Sequence, residues 1–184
     1  MISNHPAELQ DRAVPGHWKG DLIIGLKRSA IGTLVERSSR FTMLVHLPRE
    51  KGYGLILRTK NGPALAGYGA VTMAKALKNT VTKLPAELWR SLTWDRGKEL
   101  SDHVRFTVES GAKVFFADPQ SPWQRGTAVN TNGLLRQYFP KGTDLSRWTA
   151  RELAAVVNAL NTRPRKTLGW RTPAEALDDY LKSV

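Results

Sequence analysis

The sequence lacks cysteine altogether in its 184 residues. A disulfide framework and a thiolate zinc site are therefore both excluded. No apolar run approaches the roughly 20 residues that a membrane-spanning helix needs. At the N-terminus, no basic segment precedes an apolar stretch, so no signal peptide is visible. These absences predict a cytoplasmic protein that does not interact with a membrane.

Acidic residues are also scarce, because 16 Asp and Glu stand against 28 Lys and Arg, for a formal net charge of +12. The excess is spread over the whole chain rather than confined to a tail. A spread basic surface favours a polyanionic partner, most often nucleic acid, over a merely basic soluble protein. The hydrophobic content of 41% is that of a globular chain, and the length is that of one domain.

Alternating apolar residues predict strands, and their spacing predicts how the chain is organised. Residues 1–16 are polar and contain two prolines, so they are interpreted as a lead-in or linker stub before a core at 17–184. Glycine-rich residues 48–69 are interpreted as a loop. The predicted strands are 17–25, 31–37, 41–47, 92–95 and 113–117.

Helical spacing of apolar residues and capping signals predict the helices. They are 71–82, 101–109, 123–139, 150–161 and 173–182. Three closely spaced strands followed by strands that alternate with helices predict an α/β fold, a central mixed five-stranded sheet flanked by helices.

Two aspartates end or interrupt apolar strands. Asp21 lies in the segment HWKGDLII, and Asp95 closes LTWD. If these strands are neighbours in the sheet, the two carboxylates can converge, and oxygen ligands of this kind suit Mg²⁺ or Mn²⁺. Taken singly, each aspartate is more often a turn former, and Asp95 could instead pair with Arg96.

Seven segments, which cover nearly the whole chain, together resemble the integrase core of bacterial insertion-sequence transposases of the IS-thirty family, which is RNase H-like. They are His17–Gly25, Leu34–Phe41, Leu92–Leu100, Phe115–Pro119, Ser121–Gly126, Asn130–Gly142, and Leu160–Trp170 with Thr172–Pro173. The resemblance implies a two-metal mechanism that uses Asp, Asp and Glu (DDE) with Mg²⁺ or Mn²⁺, cleaving and joining DNA at element ends. It also implies DNA and further copies of the chain as partners, no small-molecule substrate, and a bacterial cytoplasm.

Matched to the family pattern, Asp21 is the first acid and Asp95 the second, and both would hold the metals. The third acid falls at Val129, which is separated from Asp95 by 33 residues. A valine side chain cannot ligate a metal. Lys19 stands where the family favours Glu, and it would share a strand face with Asp21. This copy is therefore expected to be inactive.

Nucleic-acid contacts are expected at two groups of residues. The resemblance implies DNA contact at Trp123, Gln124, Arg125 and Asn130, although a packed indole is an equal alternative for Trp123. Basic residues that could contact phosphates include Arg136, Lys141 and Arg163. Each of these charges, taken alone, is more often simply solvated.

Two functions remain open from the sequence. The first is a metal-dependent DNA transposase core, and the second is a catalytically silent DNA-binding or assembly module derived from one. A pseudogene product without a selected role is a third possibility. Family members carry an N-terminal helix-turn-helix region that this chain does not show, so a degenerate copy or an isolated domain is expected.

The charge predicts DNA binding without strong sequence preference. Contacts to phosphates alone give dissociation constants of about 10⁻⁴ to 10⁻⁶ M at physiological salt, and they weaken steeply as salt rises. Titration of a labelled duplex at several salt concentrations measures this dependence. Tight binding that is insensitive to salt, or no binding at low salt, would refute the prediction.

Overall fold

A computed structural model describes residues 14–26, 29–46, 70–94, 113–116 and 133–183 of the chain. Several sequence predictions lie outside these ranges. They are the lead-in up to residue 13, the 48–69 loop, the 101–109 helix and the start of the 123–139 helix.

All five predicted strands are present, with bounds that differ from the predicted ones by no more than two residues. They are β1 (His17–Ile24), β2 (Ala30–Glu36), β3 (Thr42–His46), β4 (Ser91–Trp94) and β5 (Lys113–Phe116). They form one sheet in the order β3-β2-β1-β4-β5. The β1–β2 and β2–β3 pairs are antiparallel, whereas β1–β4 and β4–β5 are parallel. The mixed sheet is confirmed, and β1 lies at its centre.

Three helices match their predicted positions: α1 (Ala70–Val81), α2 (Ala150–Asn161) and α3 (Pro173–Ser183). The helix α2 begins with a capping box, in which the Thr149 hydroxyl accepts from the Glu152 N–H at 3.2 Å and the Glu152 carboxylate accepts from the Thr149 N–H at 2.8 Å. Thr172 and Glu175 repeat this arrangement at α3. Each box satisfies backbone donors that a helix N-terminus otherwise leaves unpaired.

Alternation along β1 sends its side chains to two separate cores. Trp18 and Leu22 face one core, which also contains Leu77 of α1 and Trp94 of β4. Ile23 faces the other. That second core is built from Ile31, Leu44, Leu135, Phe139, Leu145 and three α2 residues, Leu153, Val156 and Leu160. Helices therefore cover both faces of the sheet.

The helix predicted over 123–139 ends earlier than its apolar pattern indicates. Within the described residues, helical geometry stops at Leu135, and a turn follows in which the Tyr138 N–H donates to the Leu135 carbonyl at 3.0 Å. Pro140 has no N–H and cannot continue the helix. As predicted, Leu134, Leu135 and Tyr138 face inward, with Leu135 fully buried.

The buried Glu36 carboxylate holds the β2–β3 turn and the entry of the chain into β1. Its Oε2 accepts from the Ser39 N–H and hydroxyl, both at 2.6 Å, and from the Ser38 N–H at 3.1 Å. Its Oε1 accepts from the Gly16 N–H at 3.2 Å. A buried carboxylate is costly unless it is hydrogen-bonded, and these donors offset that cost.

Asn161, the last residue of α2, hydrogen-bonds to the backbone of the edge strand β3. Its Oδ1 accepts from the Thr42 N–H and its Nδ2 donates to the Thr42 carbonyl, each at 2.8 Å. Both Asn161 and Thr42 are buried. The side chain thus completes the hydrogen bonding of a backbone that has no further strand beside it among the described residues, and it joins α2 to the sheet.

Replacing Asn161 with alanine should destabilise the fold. The Thr42 N–H and carbonyl would both lose their partner while buried, so the free energy of unfolding should fall by about 2 to 4 kcal/mol. Asn158, an exposed residue of the same helix, provides the matched control. Urea unfolding followed by circular dichroism measures both variants, and equal stability of N161A and N158A would contradict this role.

Candidate active site

Asp21 lies in the middle of the central strand. It is half-buried, and it is on the face that packs against α2, since Ile23 two residues later belongs to that core. One carboxylate oxygen, Oδ1, accepts from the Leu22 N–H at 2.8 Å. The Asp21 carbonyl accepts from the hydroxyl of Thr33, its partner on β2, at 3.2 Å. The strand position is therefore fixed by hydrogen bonds on both sides of Asp21, and the residue is only partly buried.

Lys19 brings a positive charge to the same face. It precedes Asp21 by two residues on β1, and only 4% of its surface is exposed. Side chains two apart on a strand point to the same side and are separated by roughly 7 Å. Lys19 is therefore a buried basic residue on the same strand face as Asp21.

Strand β4 is held beside β1 by an unusually close contact on the opposite face. Gly20 lies across from Trp94, the last described residue of β4. A Cβ atom at Gly20 would come within 2.2 Å of the Trp94 ring, which is 1% exposed. The indole therefore lies directly against the β1 backbone, one residue before Asp21, and only glycine leaves room for it.

A row of buried polar side chains accompanies Asp21 along β1 and β4. His17 and Lys19 lie opposite Ser91 and Thr93, and all four are buried. The His17 Nδ1 is 2.8 Å from the Ser91 Oγ. Buried polar residues in mid-sheet are uncommon compared with apolar ones, so this row marks the Asp21 face of the sheet as a candidate site.

Six of the predicted site residues lie outside the described ranges. They are Asp95, Trp123, Gln124, Arg125, Val129 and Asn130. The convergence of Asp21 with Asp95, and the direction of Val129, therefore stay predictions.

The other three predicted DNA contacts lie beside elements that pack on the Asp21 face. Arg136 is half-buried, and its Nη1 donates to the Phe139 carbonyl at 3.3 Å, so it also supports the turn after the helix. Lys141 is exposed on the next turn, and half-buried Arg163 follows the end of α2. Arg136 thus has a structural contact that the sequence did not predict.

Trp170 was not singled out in the sequence. It lies between α2 and α3, and 68% of its surface is exposed. Its sequence signal is an aromatic residue in the basic segment RPRKTLGWR, but nothing in that pattern distinguishes an exposed indole from a packed one.

The metal expectation rests on Asp21 and on residues beyond the described ranges. Among the described residues, no three His, Asp or Glu side chains are grouped so as to hold a metal ion. Asp21 itself supplies a hard oxygen donor that fits Mg²⁺ or Mn²⁺.

The described helices include none that is both long and apolar enough to cross a membrane.

Curated transposases are similar to this chain over nearly all of it. The transposase InsI for insertion sequence element IS30A of Escherichia coli (strain K12) is 48% identical over 177 residues, which are 96% of this chain and 42% of that protein. The transposase for insertion sequence element IS1086 of Cupriavidus metallidurans is 46% identical over 98% of this chain and 49% of that protein. The chain is homologous to the IS-thirty family transposases. It spans less than half the length of either relative, and no family model matches it.

Solved structures establish the fold of this IS-thirty homologue. The catalytic core domain of BIV integrase matches with a TM-score of 0.57 at 15% identity, covering 91% of this chain and 97% of that domain. A chain of the simian T-cell lymphotropic virus intasome matches with a TM-score of 0.60 at 15% identity, covering 89% of this chain and 55% of that one. The predicted RNase H-like integrase-core fold is confirmed.

Gly20→Ala should destabilise this region of the sheet. The added methyl group would overlap the buried Trp94 ring, and overpacking of this kind costs about 1 to 3 kcal/mol. Gly133→Ala is the matched control, since a Cβ there meets none of the described residues within 4 Å. Thermal unfolding compares the two variants, and a G20A protein as stable as G133A would show that β4 is not seated on Gly20.

Proposed function

We propose that this chain is the catalytic core of a DNA transposase, with Asp21 and Asp95 as its two remaining acids. In the IS-thirty relatives the whole proteins are transposases by name. The observation that carries the proposal here is the parallel pairing of β1 with β4, which directs the C-terminal end of β4 toward Asp21.

The register of β1 with β4 supports the proposal that the Asp21 and Asp95 carboxylates converge. His17, Lys19 and Gly20 lie opposite Ser91, Thr93 and Trp94. Continued by one residue, the same register would pair Asp21 with Asp95. Neighbouring strands lie about 4.8 Å apart, and paired residues in a parallel ladder point to the same face. Two carboxylates in that relation are close enough to share a divalent ion.

Asp21 and Asp95 would hold Mg²⁺ or Mn²⁺, and such ions activate a nucleophile and stabilise the leaving oxygen in phosphodiester transfer. The carboxylates are hard donors that match these cations in type. The basic charge of the chain supplies attraction for the DNA phosphates, and the proposed assembly partner is a second copy of the chain.

We further propose that this copy is inactive or nearly so. Val129 stands at the third acid position and offers no oxygen. Loss of a ligand removes stabilisation worth several kcal/mol, which corresponds to roughly a thousandfold in rate. Buried Lys19 adds a positive charge beside Asp21. With catalysis lost, the fold and the basic surface would leave a DNA-binding or assembly module, which is the alternative function.

Restoring the third acid tests the proposal. Val129→Glu, combined with Lys19→Glu, should raise the melting temperature on addition of Mn²⁺ and then produce nicking of a labelled duplex. A further Asp21→Asn change in the restored protein should abolish both effects. Asp178→Asn, which alters an exposed carboxylate paired with Lys182 on α3, is the matched control and should abolish neither.

Two results would count against the proposal. If the unmodified chain nicks DNA with Mg²⁺ as fast as the restored protein, position 129 is not the third acid. If Asp21→Asn leaves the Mn²⁺-induced stabilisation unchanged, Asp21 does not belong to the metal site.

A further inference from the structure

Trp170 is the most exposed large apolar side chain among the described residues, with 68% of its surface in contact with solvent. Its backbone is also in the left-handed region, with φ of 67°. A bulky residue rarely adopts this conformation, because its Cβ crowds the carbonyl oxygen that follows. Because the indole is solvated and the backbone of Trp170 is in an unfavourable conformation, this residue contributes little to the stability of the fold.

Hydrogen bonds within the loop impose this conformation. The Trp170 N–H donates to the Arg165 carbonyl at 2.9 Å, and the Arg165 N–H donates to the Arg171 carbonyl at 2.9 Å. The short 3₁₀ helix Lys166–Leu168 lies between them and ends at Gly169, whose φ is 62°. The loop is therefore closed on itself by its backbone, and it presents the indole outward on a fixed base.

Three basic residues without acidic partners among the described residues lie close to Trp170 in the sequence. Lys166 is exposed, while Arg163 and Arg165 are half-buried, and none of the three has a carboxylate partner among the described residues. Burial and the nearby Arg163 guanidinium lower the pKa of Arg165. The Arg165 Nε is buried without a hydrogen-bond partner in the described part of the chain. Like charges therefore lie close together without a carboxylate partner in the described part of the chain.

Among the described residues, the acidic residues of α3 do not pair with Arg163, Arg165 or Lys166. Asp179 pairs with Arg171 at the end of the loop, and Asp178 pairs with Lys182 at 2.8 Å. The Glu175 carboxylate accepts from the Thr172 N–H at 3.0 Å within the capping box. Within the described part of the chain, Arg163, Arg165 and Lys166 therefore have no carboxylate that neutralises them, and a polyanion would supply that negative charge.

We propose that the loop Arg163–Arg171 binds an unpaired nucleic-acid base, with Trp170 stacked on the base and Arg163, Arg165 and Lys166 close to the flanking phosphates. This inference rests on the proposed function, because it assigns a DNA contact to the same chain. Cation-flanked aromatic side chains are the general means by which proteins hold single strands. A nucleic acid offers a base that stacks on the indole and phosphates that neutralise the basic side chains. An apolar protein partner would instead leave the guanidinium groups buried and unpaired.

The test measures binding of two labelled single strands of equal length by fluorescence anisotropy. One strand carries its bases and the other is abasic, so both offer the same phosphates but only one offers stacking surfaces. Trp170→Gly should weaken binding of the normal strand by between about 5-fold and about 150-fold, the range for loss of one base stack. Binding of the abasic strand should not change.

Three further variants sharpen the result. Trp170→Phe keeps a π surface and should retain part of the preference for the normal strand. Leu26→Ala removes the other large apolar side chain that is exposed among the described residues and should change neither affinity. Lys166→Ala should weaken both strands equally and reduce the salt dependence, because a phosphate contact carries no information about bases.

Thermal unfolding separates a binding role from a structural one. Glycine adopts a positive φ without strain, so Trp170→Gly should unfold at the same temperature as the unmodified chain or a higher one. A lower unfolding temperature, or an equal loss of affinity for both strands, would overturn the proposal. So would concentration-dependent self-association in sedimentation that Trp170→Gly abolishes, since the indole would then belong to a protein interface.

The assay uses neither metal nor cleavage, so its outcome is independent of position 129. If Trp170→Gly binds both strands as the unmodified chain does, only the stacking proposal fails. If the unmodified chain binds neither strand nor duplex DNA at low salt, the stacking proposal fails together with the DNA-processing function.

Discussion

The parallel pairing of β1 with β4 is the contact on which the rest of the structure depends. It joins the N-terminal antiparallel strands to the second half of the sheet, and it sets the position of β4 up to Trp94. The Trp94 indole fits against the β1 backbone because Gly20 has no side chain. The Trp18 Nε1 adds a bond to the Leu88 carbonyl at 2.7 Å, and the Arg90 N–H donates to the Gly16 carbonyl at 2.8 Å.

Buried polar side chains hydrogen-bond to the backbone at the β2–β3 turn and at the outer edge of β3. Glu36 gathers donors from the β2–β3 turn and from Gly16, while Asn161 closes the outer edge of β3. A shift of one residue would move the apolar side chains of a strand to the opposite face, and it would also separate a buried carboxylate or amide from its partners. These contacts therefore favour a single register, and the register in turn determines which side chains accompany Asp21.

The fold is that of an integrase core, and the proposed loss of catalysis rests on two positions. At the proposed third acid position Val129 would offer no oxygen ligand, and buried Lys19 lies on the same strand face as Asp21. In the proposed silent form, the fold and the basic residues would still bind phosphates. The exposed Trp170 and its neighbouring cations are features that such binding would use without a metal.

The strands and the capped helices could be predicted from the sequence because their signals are local. Alternating residues in 31–37 and the Thr149 and Thr172 caps act over a few positions. The roles of Asn161 and Glu36 could not be predicted in this way, since Asn161 binds a residue 119 positions away and Glu36 binds one 20 positions away. Asp21 was found through family resemblance. Its sheet face follows from strand alternation, whereas its neighbours across the sheet follow from the pairing of β1 with β2 and β4.

The most direct test of the central claim is a disulfide between positions 21 and 95. The chain contains no cysteine, so the double variant Asp21→Cys with Asp95→Cys can form only that intramolecular bond. Disulfides need Cα atoms about 4.4 to 6.8 Å apart, which neighbouring strands provide. The pair Lys19→Cys with Thr93→Cys, already opposite in the register, is the positive control, and Asp21→Cys with Asp178→Cys is the negative control. The account predicts rapid oxidation of the 21–95 pair at the rate of the positive control. Oxidation no faster than the negative control would contradict the convergence of the two acids.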